Sequence, residues 1–227
     1  ALATEEHRQP IDLEQGTTLR GCLAILGADR SRLLITLPVL CADLRSLANL
    51  VSDLGALYTE AATGNREKAG EELVQYLQFS EWHNQVLEEP EAALARQWAA
   101  AAMAGGEIAI PYESPDGDEG GEALAFEPVR VPADALIALE TVAEQYGTSV
   151  AAVLLATWQV LLWRLTNQPQ MTFGTLFEGR GYEELKPTIG PFAKYLPVRC
   201  TIQGAASFGE VFRRMDVAFG EAALHLD

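Results

Sequence analysis

The sequence predicts an α+β fold with mixed, mostly antiparallel sheets and helices packed on them. Short apolar, strand-like runs are interleaved with longer segments of helical periodicity. The loops beside the strands have hairpin composition and are not the regular crossovers of parallel sheets. An acidic, proline-containing segment at residues 107–127 then divides the elements into two groups. We therefore expect two lobes, at residues 1–106 and 128–227, joined by an acidic connector.

The first lobe is predicted to begin with a β-hairpin. Residues 19–26 and 32–40 are strand-like, and residues 27–31 between them have the composition of a loop. Pro38 lacks a backbone N–H, so strand pairing should end on that side or shift to a sheet edge. Asp43 occupies the N-cap position of a helix whose apolar residues share one face; these are Leu47, Leu50, Val51, Leu54 and Leu57.

The remaining elements are predicted mainly from apolar spacing and helix-end signals. Residues 72–98 are expected to be helical, with a bend or restart at Pro90. In the second lobe, residues 150–165 are apolar nearly all round, which predicts the most buried helix, with Trp158 and Trp163 in the core. Gly147 should end the preceding helix, and Thr148 or Ser149 should cap this one. Further predictions are a strand at 127–131, a helix from Pro132, strands at 170–176 and 195–202, and a closing helix at 208–224.

Composition disfavours several classes of function. The chain carries 16 basic and 32 acidic residues, a net charge of −16, which repels nucleic acid and anionic membrane surfaces. Its most apolar run, residues 150–165, is shorter than a membrane-spanning helix requires. Cys22, Cys41 and Cys200 lie far apart without a Cys-x-x-Cys motif, which argues against a disulfide framework and a structural zinc site. This cysteine usage predicts a reducing, cytoplasmic location and no bound metal.

Several segments occur in an order that is typical of one family. They are Pro10–Glu14 with Leu19 and Arg20, the strand-to-helix junction Leu34–Leu47, Gln75–Trp82, Trp98, Thr148–Trp158, Asn167–Arg180 and Ile189–Arg199. Together they resemble the condensation domains of nonribosomal peptide synthetases. The resemblance covers nearly the whole chain and implies a two-lobed fold like that of chloramphenicol acetyltransferase. It also implies that the chain is truncated at both ends, with the second half of the N-terminal lobe followed by the first half of the C-terminal lobe.

The same resemblance implies partners and substrates. In this family, carrier proteins present phosphopantetheine-tethered donor and acceptor groups from opposite ends of a tunnel between the lobes. We therefore expect peptidyl or acyl carrier protein domains as partners, with adenylation domains nearby in the same assembly line. No cofactor is expected to bind this chain directly, because the phosphopantetheine arm belongs to the carrier.

The junction departs from the family motif His-His-x-x-x-Asp-Gly. Pro38 and Val39 stand at the two histidine positions, Asp43 keeps the aspartate, and Leu44 replaces the glycine. The resemblance implies that the second histidine lies beside the bond-forming centre, where valine can neither accept nor donate a proton. It also places the arginine that pairs with the motif aspartate upstream of residue 1, so we expect Asp43 to be unpaired.

A floor-loop pattern is kept further along the chain. Gly174, Thr175, Gly179 and Arg180 match the family's Gly-Thr-Pro-x-x-Gly-Arg segment, which the resemblance places at the tunnel. Lys194 stands where the family has an asparagine, so a cation is expected to face the tunnel or lie near it. Arg180 and Arg199 are expected to hold loops together and not to touch substrate.

Other reactive residue types have simpler interpretations. Asp43 could act as a base, but a helix N-cap is favoured. Cys41 could act as a nucleophile, but no histidine is near it in sequence to activate a thiol, so a buried packing role is favoured. His83 is expected to face solvent.

Three functional hypotheses follow. The chain could be a degenerate condensation domain that no longer forms the amide bond and serves as a scaffold or carrier-docking platform. It could be an active, non-standard condensation or acyltransferase domain that works by positioning alone, because oriented reactants gain about 7–11 kcal/mol whereas acid–base help is worth about 10²–10⁴-fold. It could also be a protein-interaction module that retains half of the fold.

Overall fold

The computed structural model describes residues 5–6, 9–64, 73–90, 92–105, 108, 110–111 and 128–226. The chain divides into two compact units, Ala1–Glu88 with Glu178–Lys194, and Glu89–Phe177 with Tyr195–Asp227. The predicted acidic connector lies almost wholly outside the described residues. The lobe limits given above therefore stay a prediction.

A β-hairpin opens the first unit, as predicted. Strand β1 (Arg20–Gly27) pairs antiparallel with β2 (Arg30–Thr36), and the pairing is irregular between Ile25 and Gly27. Strand β2 ends two residues before Pro38, which agrees with the missing N–H of that residue.

Two helices follow in the first unit. Helix α1 (Leu44–Thr63) begins after the predicted N-cap Asp43 and ends at Gly64, whose φ of 69° is the left-handed conformation that glycine adopts readily. Helix α2 (Tyr76–Glu88) stops just before Pro90, where the sequence predicted a break. A small core of Phe79, Leu185 and Phe192, with Val74 and Tyr76 against it, joins α2 to residues 178–194.

The apolar residues of α1 are largely exposed. Its buried residue is Ser46, whereas Leu47, Val51, Leu54 and Leu57 are exposed. Spacing therefore identified the helix correctly but did not identify which side of it packs within the unit.

The second unit contains four helices and two paired strands among its described residues. They are α3 (Ala92–Met103), α4 (Ala133–Tyr146), α5 (Val150–Thr166), β3 (Gln170–Phe177), β4 (Lys194–Thr201) and α6 (Phe208–Ala223). The predicted end signals of α4 and α5 are confirmed, with Gly147 at a φ of 63° and the Ser149 hydroxyl capping Ala152. The strand predicted at 127–131 is wrong for residues 128–131, because Pro128 and Pro132 remove backbone donors at both ends.

Helices α4, α5 and α6 form the core of the second unit. Ala152, Val153 and Ala156 of α5 are buried against Val198 of β4 and Met215 of α6. Helix α5 is buried on one side only, and Trp158, predicted to be in the core, is 52% exposed. It lies two residues beyond Ala156, about 200° around the helix axis, and so faces away from the core. Trp163 is partly buried and packs on this core.

Within the described part of the chain, no single helix has the length and hydrophobicity that a membrane span requires. Helices α4 and α5 meet these length and hydrophobicity requirements only as a pair, and the two helices are bent by 96° relative to each other.

Candidate functional site

The junction between β2 and α1 is a tight turn. The Pro38 carbonyl accepts hydrogen bonds from the backbone N–H groups of Cys41 at 2.9 Å and Ala42 at 3.3 Å. The Val39 side chain at the second motif position is 81% exposed on the first unit. Neither Pro38 nor Val39 carries a side-chain group that can transfer a proton.

Asp43 forms a buried ion pair, so the expectation that it is unpaired is wrong. Its Oδ2 is 2.6 Å from Nη1 of Arg180, and its Oδ1 is 2.9 Å from Nη2. The Arg180 side chain is 1% exposed and that of Asp43 is 9% exposed. This two-point geometry matches the fork of the guanidinium to the carboxylate. The partner comes from residues 178–194 of this chain, and no residue upstream of residue 1 is needed.

The remaining lone pairs of Asp43 are also occupied. Oδ1 accepts from the Ser46 backbone N–H at 2.9 Å, which confirms the predicted N-cap. Oδ2 accepts from the backbone N–H groups of Phe192 and Ala193, both at 3.1 Å. One carboxylate therefore joins the start of α1 to the segment that precedes β4.

Ser46 extends this network at the first turn of α1. Its hydroxyl accepts from the Gly190 N–H at 2.9 Å and from Arg180 Nη2 at 3.0 Å. The hydroxyl lies 2.8 Å from both Asp43 Oδ1 and the Gly190 carbonyl oxygen, and it can donate its own hydrogen bond to either of them. Sequence reasoning missed Ser46, because its partner Gly190 is 144 residues away and nothing local marks the contact.

The electrostatics of Asp43 follow from these contacts. Burial alone raises the pKa of the carboxyl, but hydrogen bonds from Arg180 and Ser46 and the nearby guanidinium charge outweigh it, and the pKa falls from 3.8 to about 2. Asp43 is therefore ionised near neutral pH, with each oxygen already accepting several hydrogen bonds. A carboxylate in this state is a poor general base.

Gly179 lets the chain approach this cluster closely. Its φ is +67°, and a Cβ at this position would lie 1.9 Å from the Phe192 carbonyl oxygen. The Arg180 guanidinium also stacks 4.3 Å from the centre of the Phe192 ring. The structure thus gives Gly179 and Arg180 roles in holding loops together, and the predicted tunnel role of this segment stays a prediction.

Lys194 lies beside His83, which was expected to face solvent. The Lys194 Nζ is 2.8 Å from Nε2 of His83, and the imidazole stacks on Phe79 with ring centres 5.4 Å apart. The expectation for His83 is therefore wrong, since its ring is half-buried on α2. An ammonium donates and does not accept, so a charged Lys194 requires a neutral His83 that carries its proton on Nδ1.

The second unit contains a cavity of about 480 Å³ beside β3 and β4. Apolar side chains, among them Met103, Met171 and Leu196, supply much of its wall, and Gly174 from the predicted floor loop also lines it. The Thr175 hydroxyl makes a long contact of 3.5 Å to the Phe173 carbonyl. Gly174 therefore lines a cavity of the second unit, whereas Arg180 belongs to the first unit.

The structure also shows the surroundings of Arg199 and Cys41. Arg199 donates to the Ala101 carbonyl at 2.7 Å and to the Gln170 side chain at 2.8 Å, so it connects helix α3 with strand β3 and not two loops. That it does not touch substrate stays a prediction. Cys41 is half-buried at the turn. Among the residues that the structure describes, no cluster of His, Cys, Asp or Glu is arranged to hold a metal ion.

Known proteins resemble this chain over nearly its whole length. The condensation domain family model matches residues 1–226. One of the linear gramicidin synthase proteins of Brevibacillus parabrevis is 27% identical over 228 residues, which cover 100% of this chain and 3% of the relative. Phosphinothricin tripeptide synthetase PhsB of Streptomyces viridochromogenes is 32% identical over 219 residues, which cover 94% of this chain and 18% of the relative.

Solved structures share the fold. The X-domain from teicoplanin biosynthesis has a TM-score of 0.83 at 23% identity, covering 98% of this chain and 51% of that one. The SgcC5 protein of Streptomyces globisporus has a TM-score of 0.79 at 25% identity, covering 99% and 51%. This chain thus spans a small part of these curated relatives and about half of these solved structures. The matches confirm the predicted α+β, condensation-type fold.

Proposed function

Because the chain belongs to the condensation domain family, we propose that it is a condensation-like domain of a nonribosomal peptide assembly line, impaired in amide-bond formation. It would receive acyl or aminoacyl thioesters on the phosphopantetheine arms of carrier proteins, next to adenylation domains. Support for this setting comes from relatives that include a linear gramicidin synthase and a phosphinothricin tripeptide synthetase. The observation that carries the impairment is the pair Pro38 and Val39 at the two motif histidine positions.

Two groups of the first unit that could be considered as a replacement base, Asp43 and His83, are already engaged in other contacts. The Asp43 carboxylate, with a pKa of about 2, is committed to Arg180 and to backbone donors. Nε2 of His83 is likewise in contact with Nζ of Lys194 at 2.8 Å. Without acid–base help, a reaction that normally uses it loses about 10²–10⁴-fold in rate.

The junction nevertheless keeps a buried hydrogen-bond network. Asp43, Ser46 and Arg180 connect the start of α1 to the segment before β4 through buried, charge-assisted hydrogen bonds. Removing either partner of such a buried pair is costly, so these contacts keep the junction folded. This supports a domain that still presents its surfaces to carriers, as a scaffold or docking platform.

A second candidate is an active domain that works by positioning alone. It is favoured by the cavity of about 480 Å³ in the second unit, whose apolar walls suit the acyl part of a thioester. Orientation of two bound reactants contributes roughly 7–11 kcal/mol, enough for slow transfer from an activated acyl donor.

The test is a reconstituted condensation assay with the full-length domain that contains this chain. Donor and acceptor carriers are loaded, and the product is followed by mass spectrometry. We expect the wild type to match the carrier-only background and Val39→His to raise product formation by about 10²-fold or more. Val51→His, at an exposed valine of α1, adds an imidazole elsewhere and is the matched control.

The outcomes separate the two candidates. Wild-type product above the carrier-only background would reject the impaired domain in favour of positioning. If Val39→His stays at background while the domain remains folded, the missing imidazole alone is not the cause of the impairment.

A further inference from the structure

The first unit has an aromatic groove that the proposed function does not use. It has a volume of about 380 Å³ and lies between α2 and the 3₁₀ turn Glu183–Leu185. Its lining is formed by Val74, Gln78, Phe79, Trp82, Tyr182, Glu184 and Leu185. Phe79 and Leu185 are buried at 8% and 5% exposure, whereas Trp82 and Tyr182 are 39% and 46% exposed. The groove therefore has a fixed apolar base and two accessible aromatic side chains.

The two exposed rings form a right-angled corner. The ring centres of Trp82 and Tyr182 are 5.7 Å apart, and the ring planes meet at 88°. A cation placed in such a corner can approach the negative face of one ring while it contacts the other ring. Tryptophan is the aromatic side chain that binds cations most strongly in this way.

The charge at the groove also favours a cation. Glu184 lines the groove, and among the described residues its carboxylate makes no ion pair or hydrogen bond. The Lys186 ammonium contacts the neighbouring Glu183 at 2.6 Å, so this nearby cation pairs with Glu183 and not with Glu184. The chain as a whole carries a net charge of −16, which further favours a basic partner.

We propose that this groove binds a lysine side chain of a partner polypeptide. The aliphatic stem lies along Val74, Phe79 and Leu185, and the ammonium sits at Trp82 and Tyr182 beside the Glu184 carboxylate. Lysine suits such a groove because it buries its methylene stem on apolar surface and keeps its charged head near water.

The openness of the groove favours a polypeptide over a free amine. Pockets for small molecules bury most of the surface of their ligand. A groove whose walls include half-exposed side chains such as Trp82 and Tyr182 does not enclose a ligand to that extent. Tryptophan and tyrosine are, however, the residue types that dominate binding energy at protein interfaces. One anchored lysine would then contribute part of a larger contact.

The test uses the whole chain and two model side chains. N-acetyl-lysine methylamide is titrated against the uncharged N-acetyl-norleucine methylamide, and the indole N–H signal of Trp82 is followed by NMR. We expect the lysine probe to shift this signal at millimolar concentration and the norleucine probe to shift it much less. Glu184→Gln should weaken lysine binding by about 2- to 5-fold, as expected for an exposed ion pair.

Two controls exclude general attraction to an acidic protein. Glu140→Gln removes one charge from an exposed position of α4 in the second unit and should leave the affinity unchanged. Trp158→Phe changes an exposed tryptophan elsewhere and should also have no effect. Trp82→Phe removes the reporter indole, so its binding is followed through the ring signals of Tyr182, and it should be weaker. Equal shifts with both probes would overturn the proposal in favour of a purely apolar groove. Equal effects of Glu184→Gln and Glu140→Gln, or no response at Trp82, would also overturn it.

Discussion

Replacing Asp43 by asparagine should strongly destabilise the first unit. The substitution keeps the size of the side chain but removes the charge that faces Arg180, whose side chain is 1% exposed. It also replaces an oxygen that accepts from Arg180, Phe192 and Ala193 by an amide that cannot accept. Removing one partner of a buried ion pair typically costs about 3–5 kcal/mol, and we expect a loss in this range.

The pH dependence gives a second, independent measure of the same contact. The pKa of Asp43 is lowered from 3.8 to about 2 in the folded state, so the unfolded chain binds its proton more tightly. The resulting stabilisation, about 2 kcal/mol, is fully present above about pH 5 and is lost as the pH falls through 4 towards 2. The Asp43→Asn variant should lack this part of the acid-induced loss.

The assay is urea denaturation followed by circular dichroism, at neutral pH and at several values down to pH 2. Asp53→Asn is the matched control, because Asp53 is an exposed residue of α1 and such substitutions change stability by no more than about 0.5 kcal/mol. A loss below about 1 kcal/mol for Asp43→Asn, or the same acid profile for both variants, would refute the reasoning.

Two further substitutions test local backbone and capping contacts by the same denaturation method. Gly179→Ala should cost about 2–5 kcal/mol, because its Cβ would meet the Phe192 carbonyl at 1.9 Å in addition to the strain of a positive φ. Gly64→Ala is its control, with a φ of +69° and open space, and should cost only about 1–2 kcal/mol; equal losses would show that the predicted clash relaxes without cost. Ser207→Ala should cost about 1 kcal/mol, because Ser207 caps α6 in a reciprocal pair with Glu210, and an unchanged midpoint would contradict that role.

The sequence was informative wherever structure depends on neighbouring residues. The hairpin, the Asp43 cap, the Gly147 and Ser149 signals and the closing helix follow from turn composition, capping and periodicity, which act within a few residues. The condensation family was also evident from the order of the segments, and the family match over residues 1–226 confirms it.

Periodicity was less reliable for deciding which side of a helix is buried. Helix α5 is apolar nearly all round, so the spacing could not show that Ala152 and Ala156 face the core while Trp158 faces outward. The choice depends on the other elements of the unit, which leave room for small side chains on one side. For α1, the residue that packs within the unit is the polar Ser46, because its hydroxyl meets Gly190.

The sequence by itself determined that Pro38 and Val39, neither of which can transfer a proton, stand where the family resemblance places two histidines. Only the tertiary structure decided that Asp43 pairs with Arg180, 137 residues away, and that Lys194 contacts His83, 111 residues away. Such partners are selected by the folded path of the chain and leave no local pattern. A charged side chain removed from water is stable only when the fold brings it an opposite charge or enough hydrogen bonds.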